Sequence, residues 1–227
     1  MEKNYHHAYF REGRDVTLFS VERHHHGAMG IIRKSLTGRT IARALDVGCG
    51  TGAFTVALLE LAHKVVGIDV STYALKVAGK RFQHNKRVRF MKVDLEKRIL
   101  PLKTGSFEAI ICLHVLEHIR PDKLTCLIEN LHRSLTASGI LIVAVPNCGA
   151  SYRKLFGDKN FGRQDPTHLN YFTPSTLDKL LRPSFVSTHT FTYPVPFIWM
   201  HSPIFARVFS FNLGNNIYSV CQKQNSR

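Results

Sequence analysis

Residues 45–54 read "LDVGCGTGAF", and the reading of this loop decides the fold. Gly48, Gly50 and Gly52 alternate after a short apolar run and before a segment with helical apolar spacing. Gly48, Gly50 and Ala53 satisfy the dinucleotide fingerprint G-x-G-x-x-G/A, and Asp69 closes the next apolar run where a ribose-binding acid belongs. That match alone would suggest NAD. Three features oppose it. Asp46 stands two residues before Gly48, where a negative charge repels a pyrophosphate. Gly52 tightens the turn beyond what the dinucleotide pattern asks. A third acid, Asp94 in "VDL", is placed at the end of a third apolar run, suited to accept from an adenine amine. An acid beside the loop suits a cofactor that carries an ammonium and a sulfonium, so the loop is read as built for a cofactor without phosphate.

Outward from the loop, strand-like and helix-like segments alternate. "ARALDV" (42–47), "KVVGIDV" (64–70), "RVRFMKVDL" (87–95), "FEAIICL" (107–113) and "ILIVAVP" (140–146) read as strands. "GAFTVALLELAH" (52–63), "STYALKVAGKRFQ" (71–83) with Ser71 as N-cap, and "PDKLTCLIENLHRSL" (121–135) read as the helices between them, with "TASG" as a link. Regular alternation of this kind implies an α/β, doubly wound, mostly parallel sheet with helices on both faces. Residues 5–36 read as one or two amphipathic helices. "TPSTLDKLL" (173–181) is a capped helix, and "SFVSTHTFTY" (184–193) and "NIYSVCQK" (216–223) read as an antiparallel edge hairpin. The Phe- and Trp-rich stretch between those strands, 194–215, is expected to cover the sheet edge, line the substrate site or lie at a membrane interface.

Composition narrows the class. The chain has 227 residues and 44% apolar content, enough for one packed α/β domain. No apolar run approaches the roughly 20 residues of a bilayer span. The N-terminus is too polar for a signal peptide, and five cysteines without CxxC spacing suggest no disulfide framework. A cytoplasmic location follows as the expectation, with peripheral membrane contact as an addition. The formal charge of +15 favours anionic partners, an anionic membrane surface or nucleic acid. The basic residues are scattered, the densest run being "KRFQHNKRVRFMK" (80–92), and no RNA-binding motif accompanies them.

Taken together, residues 42–147 resemble class I S-adenosylmethionine-dependent methyltransferases. "LDVGCGTGAF" is similar to that family's first motif, "VVGIDVS" to its second, "KVDLE" to its adenine-contacting segment, "FEAIICLHVLEHI" to its fourth-strand motif and "LHRSLTASGILIVAVPN" to its following helix and strand. The resemblance implies a Rossmann-like seven-stranded sheet in the order 3-2-1-4-5-7-6 with strand 7 antiparallel. It divides the chain into an N-terminal helical cap, 1–40, and a methyltransferase domain, 41–227. It further implies that S-adenosyl-L-methionine is held by Asp46 and by the loop backbone from Gly48 through Cys49 and Gly50 to Gly52. Asp69 would take the ribose hydroxyls, Val70 would pack on adenine, Asp94 and the Leu95 backbone would read the adenine edge, and Leu113 would pass near the methionine moiety.

The chemistry end rests on histidines. His114, Glu117 and His118 in "LHVLEHI" follow the fourth strand, at the carboxyl edge where such folds keep their ligands. Their types suit a general base or a divalent ion, with catalysis through His118 preferred to metal binding. H-x-x-E-H also occurs as a protease zinc motif, but that motif needs a helix interior, whereas a buried strand precedes this one. "DPTHLNYFTPSTL" (165–177) resembles the substrate-side segment of ubiquinone-biosynthesis O-methyltransferases, which makes His168 the second catalytic candidate. Those enzymes carry an acid where this chain has His114, a departure that weakens the family-style metal reading. His6–His7 and His24–His26 are expected to be exposed. The expected function is methylation of an oxygen on a small or lipid-linked acceptor. RNA methylation and a catalytically idle cofactor-binding scaffold are the alternatives, and base-amine methylation lacks its N-P-P-Y-like tetrapeptide.

Overall fold

The structure, a computed structural model, describes residues 18–149, 165–193 and 216–224, with the side chains of 18–26, 187–188 and 193 outside the description. The part of the expected helices in residues 5–17, with His6–His7, the segment 150–164 and the aromatic stretch 194–215 lie outside these residues.

Seven strands form one sheet: β1 (Ile41–Val47), β2 (Ala62–Asp69), β3 (Val88–Lys92), β4 (Phe107–Leu113), β5 (Leu135–Pro146), β6 (Phe185–Tyr193) and β7 (Asn216–Lys223). Their order is β3-β2-β1-β4-β5-β7-β6, as expected from the sequence. β1 to β5 pair in parallel, and β7 runs antiparallel between β5 and β6. The strands between β2 and β5 need crossover connections, and these bury both faces, which is why β4 and most of β5 are apolar without alternation.

Each face has its own core. On one side α1 (Leu18–Leu36) lays Ala28, Ile32 and Leu36 against Ala44, Ala109 and Ile111 of the central strands, together with Leu58 of α2 (Thr55–Leu61). The spacing of those three α1 residues, four apart, keeps them on one helical stripe. The other side packs Leu127, Ile128 and Leu131 of α4 (Leu124–Ser134) and Leu177 and Leu181 of α5 (Pro174–Leu181) over Ile110, Cys112 and Leu141. Ser71 caps α3 (Thr72–Arg81) by accepting from the Ala74 N–H, as its sequence position suggests. Thr173 and Thr176 form a reciprocal capping box on α5.

Three boundaries differ from the sequence reading. α2 stops at Leu61 because β2 begins at once at Ala62. The Arg87 guanidinium closes that junction by donating to the carbonyls of Leu59, Ala62 and His63. One cation of the densest basic run is therefore a structural clamp rather than a docking charge. The "TASG" link is part of β5: the strand starts at Leu135, and a register shift opposite Phe107–Ala109 absorbs the polar residues. β3 ends at Lys92, so Asp94 lies just past the strand. All five cysteines are free thiols. Among the described residues no helix is long and apolar enough to cross a membrane.

Candidate functional site

Parallel pairing aligns Val47 with Ile68 on one side and with Cys112 on the other, so the segments after β1, β2 and β4 emerge together. The glycine loop folds back on β2, with the Gly48 and Cys49 N–H groups donating to the Ile68 carbonyl at 2.8 and 3.0 Å. Gly48 has φ 67°, and a Cβ there would come within 2.3 Å of Val115 Cγ2. The loop after β1 and the turn after β4 thus touch at a point that admits no side chain. Gly50 is the opposite case. Its φ is 51°, yet nothing lies within 4 Å of where its Cβ would be. The loop crest is open on that side, as a cradle for a ligand requires.

The acids surround this crest. Asp69 accepts from the Gly50 N–H through Oδ2 at 2.9 Å and from the Ser71 N–H through Oδ1 at 2.8 Å. It therefore fixes the loop, and each carboxylate oxygen has the capacity to accept a second bond. Asp46 is 3% exposed beneath the loop, and its Oδ2 accepts from the Thr55 hydroxyl at 2.7 Å. Burial pushes the Asp46 carboxyl up to about 7, against the lowering effect of the Thr55 bond, and the Asp69 charge adds to the rise. Cys49 is buried, with a thiol pushed up by burial and then by Asp46 and Asp69, so it is a packing group and no nucleophile. Val70 is half-buried beside Asp69. Asp94 accepts from the Glu96 N–H at 3.1 Å, while Leu95 points into the core. Leu113 is buried at the end of β4.

Beyond β4 the chain turns sharply. His114 has φ 56°, a sparsely populated conformation for a non-glycine residue, and its Nδ1 lies 3.3 Å from Glu117 Oε1. A short 3-10 turn, Leu116–His118, then buries Glu117 to 1% exposure. Glu117 Oε2 has no hydrogen-bond partner among the described residues. Burial would raise this carboxyl, but the His114 hydrogen bond and the charges of His114 and His118 outweigh it and hold the group below the ordinary carboxylate value. Burial lowers His118, and Glu117 opposes that shift. The buried Cys112 thiol is pushed up by burial and then by the charges of Glu117 and Asp46.

Residues 165–173 are clamped onto this turn. The Leu169 and Asn170 N–H groups donate to the Glu117 carbonyl at 2.7 and 3.1 Å, and Asn170 Nδ2 donates to the carbonyls of Leu116 and Ile119. Phe172 bridges to Asn147 at the end of β5. The clamp brings the His168 ring edge-on to His118, with centroids 4.7 Å apart. Glu117, His118 and His168 each offer one ligand-type atom, all within 4.8 Å of one another. The cluster expected from the sequence was His114, Glu117 and His118. In the fold His168 takes the place of His114 in this cluster, and His114 contacts Glu117 Oε1. Leu169 and Tyr171 remain exposed next to these rings.

Residues 45–143 match the family model described as a methyltransferase domain. Those residues are similar to class I S-adenosylmethionine-dependent methyltransferases. The chain is 33% identical over 106 residues to the ubiquinone biosynthesis O-methyltransferase of Xanthomonas oryzae pv. oryzae (strain PXO99A), a match covering 47% of this chain and 44% of that protein. A second enzyme of that name, from Psychrobacter arcticus, is 26% identical over 151 residues, covering 61% of this chain and 56% of that one. The chain thus spans about half the length of these relatives. Among solved structures, an S-adenosylmethionine-dependent methyltransferase from Archaeoglobus fulgidus superimposes with a TM-score of 0.70 at 19% identity, covering 96% of this chain and 100% of that one. These likenesses support the fold and the group, and leave the acceptor open.

The Asp46 value gives a test of whether this carboxylate holds the ammonium of the cofactor. An ammonium pairs only with the ionised carboxylate, and that form is depleted below pH 7. Affinity for S-adenosylhomocysteine should therefore fall about tenfold between pH 8 and pH 6, with proton release on binding at pH 6. Calorimetry in buffers of differing ionisation enthalpy measures both quantities, and the Asp46→Asn variant should lose the pH dependence.

Proposed function

We propose that the chain transfers a methyl group from S-adenosyl-L-methionine to an oxygen of a small or lipid-linked acceptor. The observation that carries this reading is the junction of two half-sites at the β4 end. The open glycine crest with Asp46 and Asp69 lies on one side, and the paired rings of His118 and His168 lie on the other. Gly48 against Val115 joins them.

In this reading Gly48, Cys49, Gly50 and Gly52 supply backbone around the amino-acid end of the cofactor, and Asp46 supplies the opposing charge. Asp69 takes the ribose, Val70 packs on adenine, Asp94 and the Leu95 backbone read its edge, and Leu113 adjoins the methionine part. When bound, S-adenosylmethionine supplies an activated methyl whose leaving group is a neutral thioether. The protein then has to align an acceptor oxygen with that methyl, exclude water and take one proton. His118 and His168 are the bases within reach of one acceptor position. Exposed Leu169 and Tyr171 offer that acceptor an apolar approach. Residues 41–227 would form the catalytic domain and residues 1–40 a helical cap.

A second reading is favoured by one observation, the buried Glu117 Oε2 beside two histidines. Those three residues would hold a divalent ion that lowers the pKa of an acceptor hydroxyl. Activity lost to a chelator and restored by a divalent ion supports this reading, and chelator-resistant activity removes it.

The test of the function is label transfer from radioactive S-adenosylmethionine to lipid, RNA, glycan and protein fractions. Label in the lipid or small-molecule fraction is expected. Label in RNA would install the RNA-methyltransferase alternative, to which the charge of +15 lends support. No label in any fraction, with the cofactor bound, would leave the idle scaffold. Peripheral contact with an anionic membrane forms part of the proposal: binding to anionic vesicles should weaken steeply as salt rises.

A further inference from the structure

We propose that Asp165 and Thr167 are positioning residues that fix His118 as its Nδ1–H tautomer, so that Nε2 carries the lone pair. The consequence for catalysis rests on the methyl-transfer reading above, whereas the tautomer itself does not.

The protons available to Thr167 and His118 decide the tautomer. The Thr167 hydroxyl has one proton and two neighbours, Asp165 Oδ1 at 2.6 Å and His118 Nδ1 at 3.0 Å. An ionised carboxylate can only accept, and the shorter contact is the charge-assisted one. The hydroxyl proton therefore goes to Asp165, and Thr167 Oγ1 turns a lone pair towards the ring. The second neighbour of Nδ1 is the Thr167 carbonyl oxygen at 3.2 Å, which also can only accept. With two acceptors facing it, Nδ1 must carry a proton. In a neutral imidazole that leaves Nε2 as the basic nitrogen.

The surrounding structure keeps this chain of bonds in place. Asp165 Oδ1 accepts a second time, from the Thr167 N–H at 2.9 Å, and the Asp165 carbonyl accepts from the His168 N–H at 3.1 Å. The bonds from Leu169 and Asn170 to the Glu117 carbonyl tie the same segment to the turn that bears His118. The Asp165 carboxyl is held below its ordinary value: burial would raise it, but both Thr167 hydrogen bonds and the two histidine charges lower it, consistent with an acceptor at neutral pH. Asp165 and Thr167, two residues apart, and His118, 49 residues before Thr167, thereby act as one device. Asp165 commits the hydroxyl proton, Thr167 becomes an acceptor, and His118 presents Nε2.

The device makes an unusual prediction about pairs of substitutions. In Asp165→Ala the hydroxyl proton is released and can point at Nδ1, so the Nε2–H tautomer becomes populated. Turnover should fall at least about tenfold, with cofactor affinity unchanged. Thr167→Val removes the hydroxyl but leaves the carbonyl, so the wild-type tautomer should persist. The double variant Asp165→Ala/Thr167→Val has no competing donor and should regain the Nδ1–H form that the single Asp165 change loses. Asp165→Asn keeps an acceptor oxygen and should resemble wild type. The direct readout is the side-chain nitrogen spectrum of 15N-histidine-labelled protein at neutral pH, assigned by His118→Gln, which needs no substrate. A protonated Nδ1 in wild type, lost in Asp165→Ala and recovered in the double variant, is the expected result. An unprotonated Nδ1 in wild type overturns the proposal whether or not any variant folds. An unchanged tautomer in a folded Asp165→Ala variant also overturns it. A confirmed tautomer without turnover on any acceptor would count against methyl transfer alone.

Discussion

Turnover on the true acceptor should fall by about 100-fold or more when either His118 or His168 is replaced by alanine. A base in proton transfer contributes on this scale, and the two rings share one location, with centroids 4.7 Å apart. The variants should differ elsewhere. His168 sits on a segment clamped from outside the sheet, so His168→Ala should leave cofactor affinity almost unchanged and act on kcat. His118 belongs to the turn that also buries Glu117, so His118→Ala removes a charge partner of that acid as well. A modest loss of thermal stability is therefore expected there and not in His168→Ala. Steady-state kinetics with calorimetry of S-adenosylhomocysteine separates the two effects. Full activity in both variants would discard the base and leave alignment as the mechanism.

The second large effect is expected at Asp69. Its carboxylate holds the Gly50 and Ser71 N–H groups, and in the proposed complex it also takes the ribose hydroxyls. Charge-assisted hydrogen bonds contribute roughly 1.5–3 kcal/mol each. Asp69→Ala should thus weaken S-adenosylhomocysteine binding at least tenfold, and by more if the loop crest reorganises once Gly50 is released. An unchanged dissociation constant would show that the ribose is read elsewhere.

Much of this was legible in the sequence because it is local. The acid before Gly48 and the acid closing β2 stand at short offsets from the glycines, the apolar run of β4 marks itself by composition, and the order of the strands was what the family resemblance implied. The β7–β6 edge was readable from two β-rich segments placed late in the chain. The polar "TASG" was read as a link because a register shift inside a strand leaves no mark on hydropathy. Arg87 was counted with the surface charges because its carbonyl partners lie 24 to 28 residues earlier. The histidine cluster was legible only in part for the same reason. Spacing alone joined His114 to Glu117 and His118, and that contact exists. The convergence of His168 on His118, and the support of Thr167 and Asp165 behind it, crosses 49 residues. The clamp of Leu169 and Asn170 on the Glu117 carbonyl holds the two segments together. Thr55, the buried partner of Asp46, was missed although it lies one turn beyond the loop, since a threonine at the start of a helix reads as an ordinary helix-terminus residue.

The central claim is that an open glycine crest flanked by Asp46 and Asp69 holds a cofactor without phosphate. Calorimetric titration of the protein with S-adenosylhomocysteine and, separately, with NAD tests it most directly. The account predicts saturable one-to-one binding of S-adenosylhomocysteine, and no binding of NAD at comparable concentration. Binding of NAD with equal or greater affinity, or no binding of S-adenosylhomocysteine at pH 8, would contradict it.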